Sequence, residues 1–380
     1  MKLLPFLLDR WVHDHEDPPP EFNLAGSAGP HWTIGEVLDL DEGSRNRLFG
    51  TDLVYGPRRG RMDLRAAIAR MQGVDAEHVL VVAGASEALL HVFFLAAEPG
   101  ANVIVPFPGF PPYAAIPQAL GLEVRHYHLR PENDYHLDFD EVGSLVDGRT
   151  TLLLVNSPHN PTGATLSDEE MRRLHDVATD RGIQFVVDEV FHPIYHGTPS
   201  ASAAGLPNAT VLGDLSKAFA LSGLRLGWIV EPNAERRAQY LNARQYFTIS
   251  NTSSGELIAE IAVRHRETIW NRTRHAAHTN VRRLDAFVAE QNGRLDWRRP
   301  QGGMTCFVRL IGANDARPFC EAAARQGVLL VPGDCFGVPD HFRLGFGVNA
   351  ETFPPAMKRF ATFLNAWDSD SSRLSRAPAS

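Results

Sequence analysis

From residue 78 onward the chain repeats one theme: a short β-branched or aliphatic run, a break at Gly, Pro, Asn or Asp, then a stretch with helical spacing. The apolar runs fall at 78–82, 102–105, 122–127, 151–155, 183–187, 210–212 and 226–230. Strands separated by helices are joined by crossovers, which return the chain parallel to the strand it left, so the pattern predicts an α/β fold with an open, mostly parallel sheet. Helices are expected at 87–97 and 168–181, the second opened by Ser167 as N-cap with Glu170 three residues on. Beyond about 250 the character changes. Charged helical stretches over 255–292 lead to strand-like runs at 304–310, 328–331 and 342–346, which read as a smaller α+β unit. The expected division is an N-terminal arm with part of the small domain over 1–45, a large domain over 46–250, a small C-terminal domain over 251–370 and a polar, disordered tail over 371–380.

Composition narrows the partners. A 380-residue chain that is 44% hydrophobic can bury a large core, and its net charge of −8 with dispersed arginines offers neither a nucleic-acid surface nor a polybasic membrane patch. Small molecules are the expected ligands. Cys306, Cys320 and Cys335 are odd in number and lack Cys-x-x-Cys spacing, which fits a reducing compartment, the cytoplasm, better than a disulfide framework. The apolar N-terminal stretch is too short for a signal-peptide core before Asp9 and Arg10, and no later segment reaches the roughly 20 uninterrupted apolar residues of a membrane span. A docked N-terminal arm is the simpler reading.

In open α/β sheets ligands bind beyond the carboxyl ends of the strands, so the residues just after each apolar run carry the most information. Gly84-Ala85-Ser86 follows the first run and opens a helix, offering N–H groups and a hydroxyl to a phosphate, although small residues also make ordinary helix starts. Asn156-Ser-Pro-His-Asn160-Pro-Thr-Gly163 follows the fourth run; it reads as paired turns, or as a loop that presents the Asn160 amide to the crevice. Asp188-Glu189 ends the mostly apolar run 183–187, where a carboxylate is costly unless paired; it is either a cap or an acid holding a cation. Then comes Lys217, one of three lysines against thirty-four arginines, with Arg225 eight residues on. A desolvated amine for a Schiff base, a carboxylate to keep a pyridine nitrogen protonated, and a helix start with an arginine for a phosphate together describe a site for pyridoxal 5′-phosphate (PLP).

Asn160-Pro-Thr-Gly163, Asp188-Glu-Val190, and Ser216-Lys217 followed by Gly223-Leu-Arg225-Leu-Gly227-Trp228 resemble the three ordered motifs of class I/II aminotransferases, the fold-type I PLP enzymes. The segments Tyr55-Gly-Pro57, Pro108-Gly-Phe110-Pro-Pro-Tyr113 and Phe342-Arg343-Leu-Gly-Phe346 are similar to further family signatures, so the resemblance runs over nearly the whole chain. It implies a large domain with a seven-stranded sheet in α-β-α layers. It also implies Lys217 as the Schiff-base lysine and proton shuttle, Asp188 at the pyridine nitrogen, Asn160 at the ring O3′ and Phe110 stacked on the ring. Ala85, Ser86, Ser216 and Arg225 would hold the phosphate. Tyr55 would reach the phosphate in a neighbouring subunit, making a homodimer with shared sites, and Arg343 would grip the substrate α-carboxylate bidentately.

Two positions depart from the family pattern. Phe191 stands where many members have a tyrosine that donates to O3′, and Asp214 stands where Ser or Thr often touches the phosphate, so Asp214 is expected to turn away or to pair with an arginine or histidine. His159 is expected to serve its own turn, while His192 stays open. The leading functional expectation is transfer of the amino group of an α-amino acid to a 2-oxo acid. Segments 129–133, 158–160 and 331–333 resemble a subgroup containing cyclising synthases of arginine-derived amino acids, so the alternative is a PLP-dependent synthase, cyclase or lyase acting at Cβ or Cγ. A non-catalytic PLP-binding sensor is a third reading. Such domains are usually fused to a DNA-binding helix-turn-helix, and the first 45 residues contain none.

Overall fold

A computed structural model describes residues 3–374, with side-chain surroundings described through residue 367. The central sheet is built from β1 (Val79–Val82), β2 (Asn102–Phe107), β3 (Glu123–His128), β4 (Thr150–Asn156), β5 (Gln184–Asp188), β6 (Thr210–Asp214) and β7 (Gly227–Val230), in spatial order β1-β7-β6-β5-β4-β2-β3. Pairings from β3 through β6 are parallel, and β7 is antiparallel to both neighbours. Successive residues of each strand feed opposite faces. Val79, Val81, Leu153, Val155, Phe185 and Val187 enter one hydrophobic cluster, and Leu80, Val82, Leu152, Leu154 and Val186 enter another. That alternation of wholly apolar runs is what a sheet covered on both faces requires, and it gives α-β-α layers.

The helix Asp168–Asp180 begins with the capping box at Ser167 and Glu170 read from the sequence. After residue 250 come the helices Ser253–Arg264 and Arg266–Ala289 and an antiparallel four-stranded sheet, in which Val331–Pro332, His341–Gly345, Thr305–Leu310 and Leu295–Trp297 lie side by side. The N-terminal arm docks on this part: the helix Leu7–His13 buries Leu8 and Trp11, the Trp11 indole donates to the Leu330 carbonyl at 2.6 Å, and Phe22–Asn23 pairs with Val328–Leu329. The final helix runs Phe353–Leu374, into the stretch expected to form a frayed tail, and residues 375–380 lie outside the described residues. All three cysteines are free and buried. Among the described residues no helix is long and apolar enough to cross a membrane.

Candidate active site

Three neighbouring strands end in polar residues that the register sets side by side. Asn156 pairs with Asp188 across β4 and β5, Asp188 pairs with Leu212 across β5 and β6, and Asp214 lies two residues further along β6. These ends open toward the N-terminus of α1 (Ala85–Ala96), whose cap is Gly84 at φ +80°. A Cβ on Gly84 would stand 2.9 Å from Nη2 of Arg225 and 3.2 Å from Oδ2 of Asp214, so glycine is required both by the backbone angle and by the narrowness of the cup. Gly213 is needed for a different reason: the Trp228 ring lies flat against it, where a Cβ would be 2.2 Å away. Arg225 itself is left-handed, at φ +50°, and its Nη1 donates to Ser216 Oγ at 3.3 Å and to the Ser222 carbonyl at 3.1 Å.

Asp214 does not turn away. Its Oδ2 accepts the Ala85 N–H at 2.9 Å and its Oδ1 accepts the Ser216 N–H, and among the described residues it forms no ion pair with arginine or histidine. The physical reason is that the first N–H groups of a helix have no partner within it, and a carboxylate at that positive end satisfies one directly.

At the end of β5, Asp188 is 2% exposed and its Oδ2 accepts a hydrogen bond from the Tyr113 hydroxyl at 2.8 Å. Burial pushes its pKa up from 3.8 to about 6, against the Val190 N–H and the Tyr113 hydroxyl, which favour the charged form. Glu189, its neighbour, points elsewhere and caps a turn, accepting the Ala203 N–H and the Ser202 hydroxyl. Lys217 donates from Nζ to Ser27 Oγ at 2.9 Å. Burial lowers its pKa, with Asp214 and Asp188 opposing and Arg343 and Arg225 reinforcing the shift. Arg343 is buried and donates to Asn160 Oδ1 at 3.0 Å and to the Ala25 carbonyl at 2.7 Å, while its Nε is buried with no partner. Desolvation lowers its pKa to about 10. A buried guanidinium without a carboxylate is an incomplete arrangement, because the charge is costly there until an anion arrives.

One cavity of about 380 Å³ gathers Ala85, Ser86, Phe110, Asn160, Asp188, Ser216, Lys217, Arg225 and Arg343. Tyr55 is absent from it and stands 81% exposed on the outside of the protomer. A larger cavity, of about 880 Å³ near Asp168 and Arg298, contains none of these residues, so size does not mark the chemistry here. His159 serves its own turn through Thr162 Oγ1 at 2.8 Å, as expected. His192 bonds the Tyr195 hydroxyl at 3.0 Å and lines a separate cavity, where burial lowers its pKa to about 4. Two contributors escaped the sequence reading. Tyr113 lay in the aromatic segment but had no assigned role, and Ser27 meets Lys217 across 190 positions with no local signal at all.

The residues fit PLP on their own terms: a glycine-floored cup at a helix start, a buried carboxyl at a strand end, a desolvated amine and an arginine with an orphaned N–H share one cavity. The family profile described as aminotransferase class I and II matches residues 35–360. The chain belongs to this family. As a class I/II aminotransferase-family enzyme it uses pyridoxal 5′-phosphate. It is 34% identical over 331 residues to capreomycidine synthase of Streptomyces vinaceus, covering 84% of each chain. Among solved structures, a PLP-dependent aminotransferase from Streptococcus suis superposes with a TM-score of 0.91 at 28% identity, covering 96% of this chain and 99% of that one. The PLP-dependent cyclase OrfR superposes at 0.87 with 30% identity, covering 96% and 98%. The family therefore spans both reaction types that the sequence left open.

Proposed function

We propose that this enzyme moves the amino group of an α-amino acid to a 2-oxo acid. The observation that carries the reading is the Lys217 amine, the one lysine among the described residues that line the cavity, which is held by Ser27 between the Asp188 and Arg343 ends of the site. The bound cofactor supplies an electron sink for the bond electrons at the substrate Cα. On this reading Asp188 keeps the pyridine nitrogen protonated, and a carboxyl already raised to about 6 by burial gains most from meeting a cation. Arg343 takes the substrate carboxylate with the Nε that has no partner in the protein, and Asn160 Oδ1 steadies its other edge. Phe110 covers the ring face, with Phe6 of the N-terminal arm set edge-on to it at 5.8 Å. Lys217, its pKa lowered by burial, is available as a free amine to take the proton from the substrate Cα and, as the ammonium so formed, to return it on the same face. Residues 46–250 then carry the cofactor, and the 1–45 arm and residues 251–370 close over the substrate.

The exposed Phe49, Leu53, Val54, Tyr55 and Tyr246 support a homodimer in which Tyr55 serves the partner's site. A second reading, ring closure after loss of a group at Cβ or Cγ, is supported by the likeness to capreomycidine synthase and to the PLP-dependent cyclase. The two are separated by incubating the purified enzyme with a panel of amino acids, with and without pyruvate, and weighing the products. Keto acid with alanine formed from pyruvate supports amino transfer; a ring-closed product or ammonia without alanine supports the second reading. Borohydride reduction followed by peptide mapping should place the cofactor mass on Lys217, and a label on Lys358 would sink the site assignment.

A further inference from the structure

We infer that Asp214 is an internal anion that occupies the phosphate cradle of the cofactor-free protein, is displaced when the cofactor binds, and thereby sets the affinity for its phosphate ester. The side chain is 6% exposed, and its two oxygens take the N–H groups of Ala85 and Ser216. Those are donors of the kind a phosphate uses at a helix start: one is the first residue of α1 and the other precedes Lys217. The carboxylate stands at the wall of the cup itself. The space above Gly84 Cα is already bounded by Arg225 Nη2 and Asp214 Oδ2, at 2.9 and 3.2 Å from where a Cβ would stand. A phosphate drawn in by Arg225 and Ser216 therefore meets a carboxylate within a few ångströms in a partly desolvated site, where like charges repel far more strongly than in water.

A carboxylate displaced from the cup has a second space beside it. Asp214 lines two cavities, that of the active site and one of about 230 Å³ lined in part by Glu189, His192, Arg266, Glu267 and Arg274. Arg266 and Arg274 make that second cavity a tolerable place for a carboxylate. Glu189 and Glu267 limit the gain, and the Glu267 carboxylate already holds Arg274 at 3.2 Å. Displacement thus carries a standing cost that the phosphate must overcome. Serine or threonine, frequent at this position in the family, would impose no such cost and could donate to the phosphate.

The test compares pyridoxamine 5′-phosphate with pyridoxamine, which differ only in the phosphate and do not condense with Lys217. Dissociation constants are measured calorimetrically on the cofactor-free wild type and on Asp214→Asn and Asp214→Ser. Asn keeps the size and one acceptor, enough for the Ala85 N–H, and removes the charge together with the second acceptor, so it decides the matter if Ser proves to be misfolded by circular dichroism. The expected result is roughly tenfold or tighter binding of the phosphate ester by both variants, with pyridoxamine binding changed less than twofold. Unchanged or weaker binding of the ester would overturn the inference, since the carboxylate would then be part of the cradle. Equal gains for both compounds would overturn it too, because the effect would not lie at the phosphate. A wild type that binds neither compound would overturn the cofactor site itself.

Discussion

Asp188 shows how one buried group trades stability for chemistry. Its pKa of about 6 in the folded, cofactor-free protein lies above the ordinary 3.8, so the folded state holds its proton over a range in which the unfolded chain has lost it. Stability contributed by this group is therefore full below about pH 4 and falls as pH rises toward 6, by at most about 3 kcal/mol if the whole shift is expressed. Asp188→Asn should make the cofactor-free protein more resistant to urea at pH 7.5 than the wild type, with the advantage shrinking toward pH 4.5. An advantage that does not change with pH would show that the carboxyl is not strained by burial. On the role proposed for Asp188 at the pyridine nitrogen, the same variant should lose several kcal/mol of transition-state stabilisation, because an amide carries no charge to hold the pyridine proton.

Phe191 gives a second residue-scale expectation. It is 1% exposed, lines the cavity and offers no hydroxyl, while Tyr195 and His192 bond each other outside that cavity. A hydrogen bond to a charged group is worth about 1.5–3 kcal/mol, so Phe191→Tyr should move the visible-spectrum titration of the bound cofactor down by roughly one to two pH units. An unmoved titration would mean that position 191 does not face the ring oxygen.

At the scale of elements, two helix starts of similar sequence character have different work. Ser167 and Glu170 close a capping box on an exposed helix, and Ser167→Ala should cost about 1 kcal/mol in urea unfolding while leaving cofactor affinity alone. Gly84 caps the helix that faces the cofactor, and Gly84→Ala puts a methyl against Arg225 at a φ that disfavours any side chain. Pyridoxamine 5′-phosphate should then bind at least about tenfold more weakly, beside a folding penalty of about 1–2 kcal/mol. Equal effects of the two substitutions on binding would contradict the division. The strands themselves were readable as apolar runs, because a sheet covered on both faces needs no polar alternation. The direction of β7 was not readable: its run looks like the others, and only its place between β1 and β6 makes it antiparallel.

For the molecule as a whole, the proposed homodimer would cover Tyr55, Phe49, Leu53 and Val54, which are exposed on the protomer. Sedimentation should give about twice the 42.0 kDa chain mass, and Tyr55→Ala should weaken cofactor binding without disturbing the protomer's own cavity. A monomer that binds cofactor at full strength would refute the shared site. The sequence by itself determined the layered α/β fold and the cofactor class, and it singled out Lys217, Asp188, Asn160, Arg225 and Arg343 as candidates that line one cavity, because strand periodicity and strand-end chemistry are local and each leaves its mark within a few residues. Only the tertiary structure decided that Ser27 holds the lysine amine, that Tyr113 holds Asp188, and that Asp214 enters the phosphate cup instead of leaving it. Those contacts span 190, 75 and 129 positions, and no residue in them signals its partner. They exist because the fold brings the N-terminal arm and two helix starts to the strand ends of one sheet, where each unpaired donor meets whatever acceptor the fold has put beside it.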